Sequence, residues 1–198
     1  DFIFSKEIRN KKRVELCLDN KFIVGHVGRF MQQKNHMFLL ETFAELHNLR
    51  SDAHLILIGE GRLEDKILRK INELHIDKNV TILGRRSDVN ELMQAMDVFL
   101  FPSLWEGFPN VAIEAQASAL PVYMSENITQ EANFSQYSHR LSLEKGAAYW
   151  AEEIYRNEKE PLDRIDMSGT MREQGYDVVK TAKWYENYYI EKMKELGY

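Results

Sequence analysis

Short apolar segments alternate with amphipathic segments along most of this chain. Strand-like runs occupy residues 22–27, 54–58, 80–83, 97–101 and 120–124. Between them, apolar residues recur at helical spacing over 37–49, 63–74 and 89–96, and a further helix is predicted from Asn110. Nearly continuous apolar strands that alternate with helices form parallel sheets covered on both faces. Because such crossovers are right-handed, the sequence predicts a doubly wound, Rossmann-like α/β fold.

The pattern is less regular beyond Ser125. One more short strand is expected near 139–141, and helices are expected over 143–157 and 176–196. We therefore divide the chain into a lead-in segment (1–20), a Rossmann-like domain (21–170) and a C-terminal helical segment (171–198). Since the chain begins at Asp1 rather than at a methionine, we expect it to be part of a longer protein. The lead-in then comes from an N-terminal domain, on which the last helix is expected to pack.

Composition excludes several classes of function. The chain has 198 residues, enough for one large domain with a substantial core. Its net charge of -5 argues against nucleic acid as the partner, because phosphate backbones require clustered Lys and Arg. The single Cys17 excludes an internal disulfide and is typical of a reducing compartment. No apolar run approaches the roughly 20 residues that span a bilayer. These features predict a soluble, cytoplasmic protein without a transmembrane segment.

Glycines and cations follow the predicted strands at their carboxyl ends, where open α/β sheets bind ligands. Gly28, Arg29 and Lys34 follow the first strand; glycine allows close backbone approach, and the two cations suit a diphosphate. The turns after the second and third strands contain Gly59-Glu60-Gly61 and Gly84-Arg85-Arg86. The second of these turns could line a base pocket. Each motif alone also fits a solvated loop in which glycine serves only the turn.

Residues 102–114 carry the strongest functional signal. Glu106 and Glu114 are separated by seven residues, and the segment joins a predicted strand to a helix that begins at Asn110. The first N–H groups of a helix lack intrahelical partners and attract anions, whereas carboxylates accept hydrogen bonds from hydroxyls. A ligand with a phosphate part and a polyol part, such as a nucleotide sugar, satisfies both. The alternative is a helix start with one surface carboxylate, but Trp105 and Phe108 in the same turn favour packing or binding.

Other catalytic motifs do not occur in the sequence. The six histidines show no metal-ligand spacing, and there is no G-x-S-x-G, no Walker lysine and no paired His-Cys arrangement. We therefore expect neither a metal nor a cofactor.

These residues together resemble a known family. Gly28-Arg29 with Lys34, Gly59-x-Gly61, and Glu106-Gly107-Phe108-Pro109 followed by Glu114 are similar to the C-terminal, donor-binding domain of family-4 retaining glycosyltransferases of GT-B fold. The similarity runs from about Phe22 to Val122 and is strongest to bacterial exopolysaccharide and capsule biosynthesis enzymes. It implies that the chain is one half of a GT-B enzyme.

The resemblance assigns roles to individual residues. Arg29 and Lys34 would hold the diphosphate and stabilise it as it leaves, and Glu106 would contact the transferred sugar; these three form the implied catalytic set. Glu114 would bind the ribose hydroxyls. The remaining implied donor-binding residues are mostly turn residues, namely Gly28, Gly59, Gly61, Gly84, Arg85, Gly107, Phe108, Pro109, Asn110 and Val111.

The implied partners follow from these roles. The donor would be a nucleoside-diphosphate sugar, with UDP favoured, and the acceptor a glycan or lipid-linked glycan bound mainly by the N-terminal domain. In its full-length form the protein would act in the cytoplasm, including at the inner face of the membrane. Two departures from the family pattern occur: Ala119 replaces a usual glycine, and residues 125–129 lack a glycine-rich turn, which leaves the sugar-side wall after Met124 open.

Two other functions compete with glycosyl transfer. A sugar-nucleotide epimerase shares the GT-B scaffold, although the pairing of Glu106 with Glu114 favours transfer. A non-enzymatic doubly wound domain, such as a receiver, would require clustered aspartates after the first strand, where this chain has Gly28 and Arg29.

Overall fold

A single parallel sheet forms the centre of the molecule. The computed structural model describes residues 2–159 and 163–196. The sheet has six strands in the order β3-β2-β1-β4-β5-β6. The strands are β1 Phe22–Val27, β2 Ala53–Ile58, β3 Val80–Gly84, β4 Val98–Phe101, β5 Val122–Ser125 and β6 Ser138–Leu141. All five strand pairings are parallel, which confirms the doubly wound α/β prediction.

Helices cover both faces of this sheet. They are α1 Lys6–Glu15, α2 His36–Leu49, α3 Glu64–Glu73, α4 Val89–Ala95, α5 Asn110–Ala117, α6 Gly146–Asn157, α7 Ser168–Glu173 and α8 Val178–Glu195. The helix expected over 143–157 begins at Gly146, because Leu143–Lys145 form a 3-10 turn before it. The strand expected at 120–124 starts two residues later, at Val122. In the described part of the chain, no helix is both long enough and apolar enough to cross a membrane.

Side chains alternate between two cores, as the pleat of a strand requires. Leu55 and Leu57 of β2 pack in one core with Phe43 and Trp150. Their neighbour Ile56 packs in the other core, which includes Phe99. Because both faces of the central strands are buried, their sequences are largely apolar rather than alternating, with the buried His26 and His54 as exceptions.

Helix α1 was not predicted as an element of the domain. Its buried residues are Lys12 and Arg13, not apolar side chains. Lys12 Nζ forms an ion pair with Asp88 Oδ2 at 2.8 Å, and Arg13 Nη1 pairs with Asp97 Oδ2 at 3.1 Å. Arg9 also pairs with Asp97. Since the helix packs through charges, apolar periodicity gives no sign of it.

Candidate functional site

The strand order reverses between β1 and β4. β1 pairs with β2 on one side and with β4 on the other. In open α/β sheets, ligands bind outside the carboxyl ends of the strands at such a switch point. The glycine and cation motifs after β1, β2 and β4 all lie at this edge.

Two adjoining clefts occupy this edge. One has a volume of about 530 Å³ and is lined by Val27, Gly28, Arg29, Ile58, Gly59, Glu60, Gly61, Arg85, Arg86 and Val89. The other has a volume of about 480 Å³ and is lined by Val27, Gly28, Arg29, Met31, Gln33, Lys34, Glu106, Phe108, Pro109, Asn110 and Val111. Because both include Val27, Gly28 and Arg29, they form one elongated site with Arg29 at the junction.

Most of the predicted site residues therefore line one continuous surface. Gly84, Gly107 and Glu114 lie beside the clefts rather than in their walls. Sequence reasoning missed several wall residues, including the apolar Val27, Ile58 and Val89. These are the last residues of strands or the first residue of a helix, so only a map of strand ends could have indicated them.

Lys34 and Glu106 form an ion pair within the site. Lys34 Nζ lies 2.8 Å from Glu106 Oε1, with only 14% and 8% of the respective side chains exposed. The same ammonium lies over the Phe101 ring, 4.7 Å from its centroid. Arg29, in contrast, is exposed and makes no ion pair within the described residues. The site thus holds one neutralised cation and one cation open to an anionic ligand.

Gly59 allows the loops after β1 and β2 to touch. Its φ is +141°, and a Cβ atom there would lie 2.0 Å from the carbonyl oxygen of Gly28. The two loops are also joined by backbone hydrogen bonds, from Phe30 N to Glu60 O and from Leu63 N to Phe30 O. The G-x-G motif is therefore required for close packing of the cleft wall, which is a stronger constraint than the turn itself.

Two unused amides lie at and just before the start of α5, next to the cleft. Pro109 precedes the helix and gives it no side-chain cap. The amides of Gly107 and Val111 donate no backbone hydrogen bond within residues 2–159 and 163–196. Unpaired N–H groups at a helix start favour an anion.

Glu114 lies one turn further along α5 and is half-buried. Burial raises the pKa of its carboxyl group above the ordinary value. A carboxylate with this environment is partly desolvated, which strengthens any hydrogen bond that it accepts from a hydroxyl.

Charged side chains fix the opposite end of the site. Arg86 donates two hydrogen bonds to Asp88, at 2.8 and 2.7 Å. Asp88 also accepts from Lys12 of α1, and these cations lower the pKa of its carboxyl group well below the usual range. Arg85 is exposed and lines the cleft. The network ties the turn after β3 to α1 and leaves Arg85 available to a ligand.

The two aromatic residues of the 102–109 loop differ in their surroundings. Phe108 lines the cleft and lies near Tyr176, with ring centroids 6.2 Å apart. Trp105 has 54% of its surface exposed.

Two buried histidines lie beneath the site. Their rings are in edge contact, with centroids 5.0 Å apart. His26 Nδ1 lies 2.9 Å from Leu100 O; because a carbonyl only accepts, this nitrogen carries the proton in the neutral ring. Burial, together with the nearby Lys34 ammonium, lowers the pKa of His36 to about 4 and that of His26 well below its usual value. Both rings are thus neutral in the folded protein at neutral pH.

These histidines should make the fold sensitive to mild acid. Below about pH 6.5 the unfolded chain binds a proton at His36 that the folded chain refuses until about pH 4, so stability falls as pH falls through this window. We expect His36 to account for a loss of about 2 kcal/mol in the free energy of unfolding between pH 7 and pH 5. Urea titrations of the parent chain and His36→Phe at both pH values measure it.

The comparison between pH values isolates the histidine from packing effects. His36→Phe should lose less stability on acidification than the parent chain, whatever its stability at pH 7. Glu114 and Glu158, whose pKa values are raised by burial, act in the opposite direction equally in both proteins. If His36→Phe loses as much unfolding free energy between pH 7 and pH 5 as the parent chain does, the assignment is refuted.

Comparison with known proteins identifies the family. Residues 21–156 match the family described as Glycosyl transferases group 1. The putative glycosyltransferase EpsF of Bacillus subtilis is 37% identical over 160 residues, which is 80% of this chain and 42% of that protein. The UDP-Gal:alpha-D-GlcNAc-diphosphoundecaprenol alpha-1,3-galactosyltransferase of Escherichia coli is 34% identical over 54% of this chain and 28% of its own length. The chain therefore spans less than half the length of these relatives.

A solved structure agrees with the fold. HepE of Anabaena, crystallised in complex with UDP, superposes with a TM-score of 0.81 at 21% identity, over 96% of this chain and 54% of that chain. This likeness covers the whole sheet and the helices on both of its faces. The match over 21–156 includes every residue that lines the two clefts. The chain belongs to the glycosyl transferases group 1 family, and it has the Rossmann-like α/β fold seen in the matching part of HepE.

Proposed function

We propose that this chain is the donor-binding half of a retaining glycosyltransferase that moves a hexose from a nucleoside-diphosphate sugar, preferably a UDP-sugar, to a glycan acceptor. The observation that carries the proposal is the two-part cleft at the switch point. Its junction holds the open Arg29 cation, while one end holds the Lys34–Glu106 pair and the other holds Arg85. The E. coli relative is named for a UDP-galactose donor, and HepE was crystallised with UDP.

Under this proposal, the parts of the donor are distributed along the cleft. The diphosphate would lie at the junction, against Arg29, Lys34 and the amides at the start of α5. The sugar would lie next to Glu106, and the base would lie in the cleft lined by Arg85. Glu114 would accept hydrogen bonds from the ribose. This order matches the sequence of strand ends along the sheet, from β4 through β1 to β3.

The chemistry supplied by this half is stabilisation of the leaving group. During transfer the bond between the anomeric carbon and the diphosphate oxygen breaks, and negative charge develops on the diphosphate. Arg29, Lys34 and the unused amides near Gly107 and Val111 are positive groups that are fixed before the reaction begins. Such preorganised groups stabilise developing charge at little cost in reorganisation. The oxygen of the acceptor hydroxyl then bonds to the anomeric carbon, whose configuration is retained, and the hydroxyl proton passes to the departing diphosphate.

We further propose that α8 docks on the acceptor-binding half of the full-length enzyme. All of its described residues are exposed. Apolar side chains at Val178, Tyr185, Tyr189 and Met193 recur at helical spacing and are 50–78% exposed. An apolar stripe of this kind requires a partner to be shielded from water. The acceptor, a glycan or lipid-linked glycan, would be bound mainly by that other half, at the cytoplasmic side of the membrane.

A nucleotide titration tests the donor site directly. We expect UDP to bind the chain, and Arg29→Ala to weaken the affinity about tenfold, because a charge-assisted hydrogen bond contributes about 1.5–3 kcal/mol. Glu114→Ala should weaken the affinity for UDP a few-fold and leave the affinity for inorganic diphosphate unchanged, since only UDP carries a ribose. Isothermal titration with UDP, GDP and diphosphate measures these affinities.

Arg69→Ala provides the matched control. Arg69 is an exposed arginine on α3, outside both clefts, so its removal changes net charge by the same amount. Failure of the chain to bind either nucleotide, or equal losses in Arg29→Ala and Arg69→Ala, would refute the donor site. In the full-length enzyme, conversion of the donor sugar without an acceptor would instead indicate an epimerase.

A further inference from the structure

Three hydrogen bonds join the loop after β1 to main-chain groups of the loop after β4. Leu104 N donates to Gln33 O at 2.8 Å, and Gln33 Nε2 donates to Trp105 O at 2.9 Å. Asn35 Nδ2 donates to Pro102 O at 3.1 Å. Gln33 takes part in two of the three through different groups, its backbone carbonyl and its side-chain amide. Gln33 is therefore held to the second loop both through its main chain and through the end of its side chain.

The same amide reaches the Glu106 carboxylate. Gln33 Nε2 lies 3.2 Å from Glu106 Oε2, while Lys34 Nζ lies 2.8 Å from Oε1. Each carboxylate oxygen is thus held by one of two consecutive residues of the first loop. A carboxylate has about four acceptor positions, so two remain for hydroxyl groups of a ligand. The terminal torsion angle of a glutamate side chain otherwise takes a broad range of values. Hydrogen bonds to both carboxylate oxygens restrict it here.

The two side chains that donate hydrogen bonds to Glu106 respond differently when a diphosphate binds. Lys34 is a cation, and an arriving diphosphate competes with Glu106 for it. Gln33 is neutral and also donates to a backbone carbonyl, so a diphosphate has little attraction for it. Gln33 is then the contact that retains the orientation of Glu106 while Lys34 turns toward phosphate.

We propose that Gln33 is a positioning residue that holds Glu106 toward the sugar of the donor and thereby sets the preference for a sugar nucleotide over the free nucleotide. This inference rests on the proposed donor-binding function. It assigns to Gln33 no direct contact with the diphosphate. Replacing Gln33 should therefore reduce the binding affinity only for ligands that carry the sugar.

The test compares UDP with UDP-glucose, UDP-galactose and UDP-N-acetylglucosamine by calorimetric titration of the chain. Gln33→Met keeps the length of the side chain and removes its donor. We expect this variant to bind UDP within about twofold of the parent and to lose about tenfold in affinity for the preferred sugar nucleotide, as expected for loss of a hydrogen bond to a charged group. Gln32→Met is the matched control, because Gln32 is exposed and outside both clefts.

The possible outcomes separate the two proposals. Equal weakening of UDP and the sugar nucleotides in Gln33→Met would make Gln33 a general loop residue and overturn the inference. Unchanged sugar-nucleotide binding would also overturn it, as would a parent chain that binds all four ligands equally. In each of these cases the parent still binds UDP, so the donor-site proposal survives. A parent chain that binds none of the ligands contradicts the donor site itself.

Discussion

Gly59→Ala is expected to destabilise the fold by about 3 kcal/mol or more and to abolish nucleotide binding. The new Cβ would lie 2.0 Å from the backbone oxygen of Gly28, at a φ of +141° that alanine rarely adopts. Backbone cannot rotate away as a side chain can, so the loops after β1 and β2 must separate. Because Arg29 follows Gly28 directly, the separation also displaces the cation at the junction of the two clefts.

Urea unfolding and UDP titration measure the two effects of Gly59→Ala. Gly169→Ala is the matched control: Gly169 lies within α7, and a Cβ there would meet no atom within 4 Å. This control should leave both measurements unchanged or raise stability slightly, since alanine is the better helix former. A Gly59→Ala protein as stable as the parent would show that the two loops do not pack as described.

Lys34→Ala is expected to weaken UDP binding by about 10- to 100-fold, through loss of a charge-assisted contact to phosphate. It also leaves Glu106, whose side chain is 8% exposed, without its cation. We expect a fall of about 1–2 kcal/mol in the free energy of unfolding, because a partly buried carboxylate loses its counter-ion. The two losses have different causes and can be separated.

Glu106→Gln provides that separation. Alone, it should bind UDP at least as tightly as the parent, because Lys34 is released from its partner and a negative charge is removed from the cleft. Combined with Lys34→Ala, it should restore much of the lost stability but only the small part of the UDP affinity that follows from removing a negative charge. The control is Lys70→Ala, whose ion pair with Glu41 lies on the surface. Recovery of UDP binding to the level of Glu106→Gln in the double variant would argue against a contact between Lys34 and phosphate.

The central sheet could be predicted because its signal is local. Each of β1 to β5 is a short, mainly apolar run, and each of α2 to α4 has an apolar face with the helical period. Helix α1 could not be predicted in this way, since it packs through Lys12 and Arg13. Its partners Asp88 and Asp97 lie more than 70 positions away, and a sequence does not show which distant charges will meet.

The candidate site, too, could be predicted only where the sequence signal is local. Motifs at strand ends indicated Arg29, Lys34 and Glu106, because parallel strands bring their carboxyl ends to one edge. The ion pair between Lys34 and Glu106 depends on β1 and β4 being neighbours, which follows from the strand order rather than from either motif. The role inferred for Gln33 depends on the same adjacency.

Three of the hydrogen bonds between the loops after β1 and β4 involve main-chain groups of the second loop. Gln33 and Asn35 donate to carbonyls of Trp105 and Pro102, and the amide of Leu104 donates in return. These bonds make no use of the side chains at 104 and 105. Evolution, or a combinatorial library, can therefore vary these two positions while the loops stay joined, so the surface of the 102–109 loop can change separately from the framework that holds the charged residues of the site.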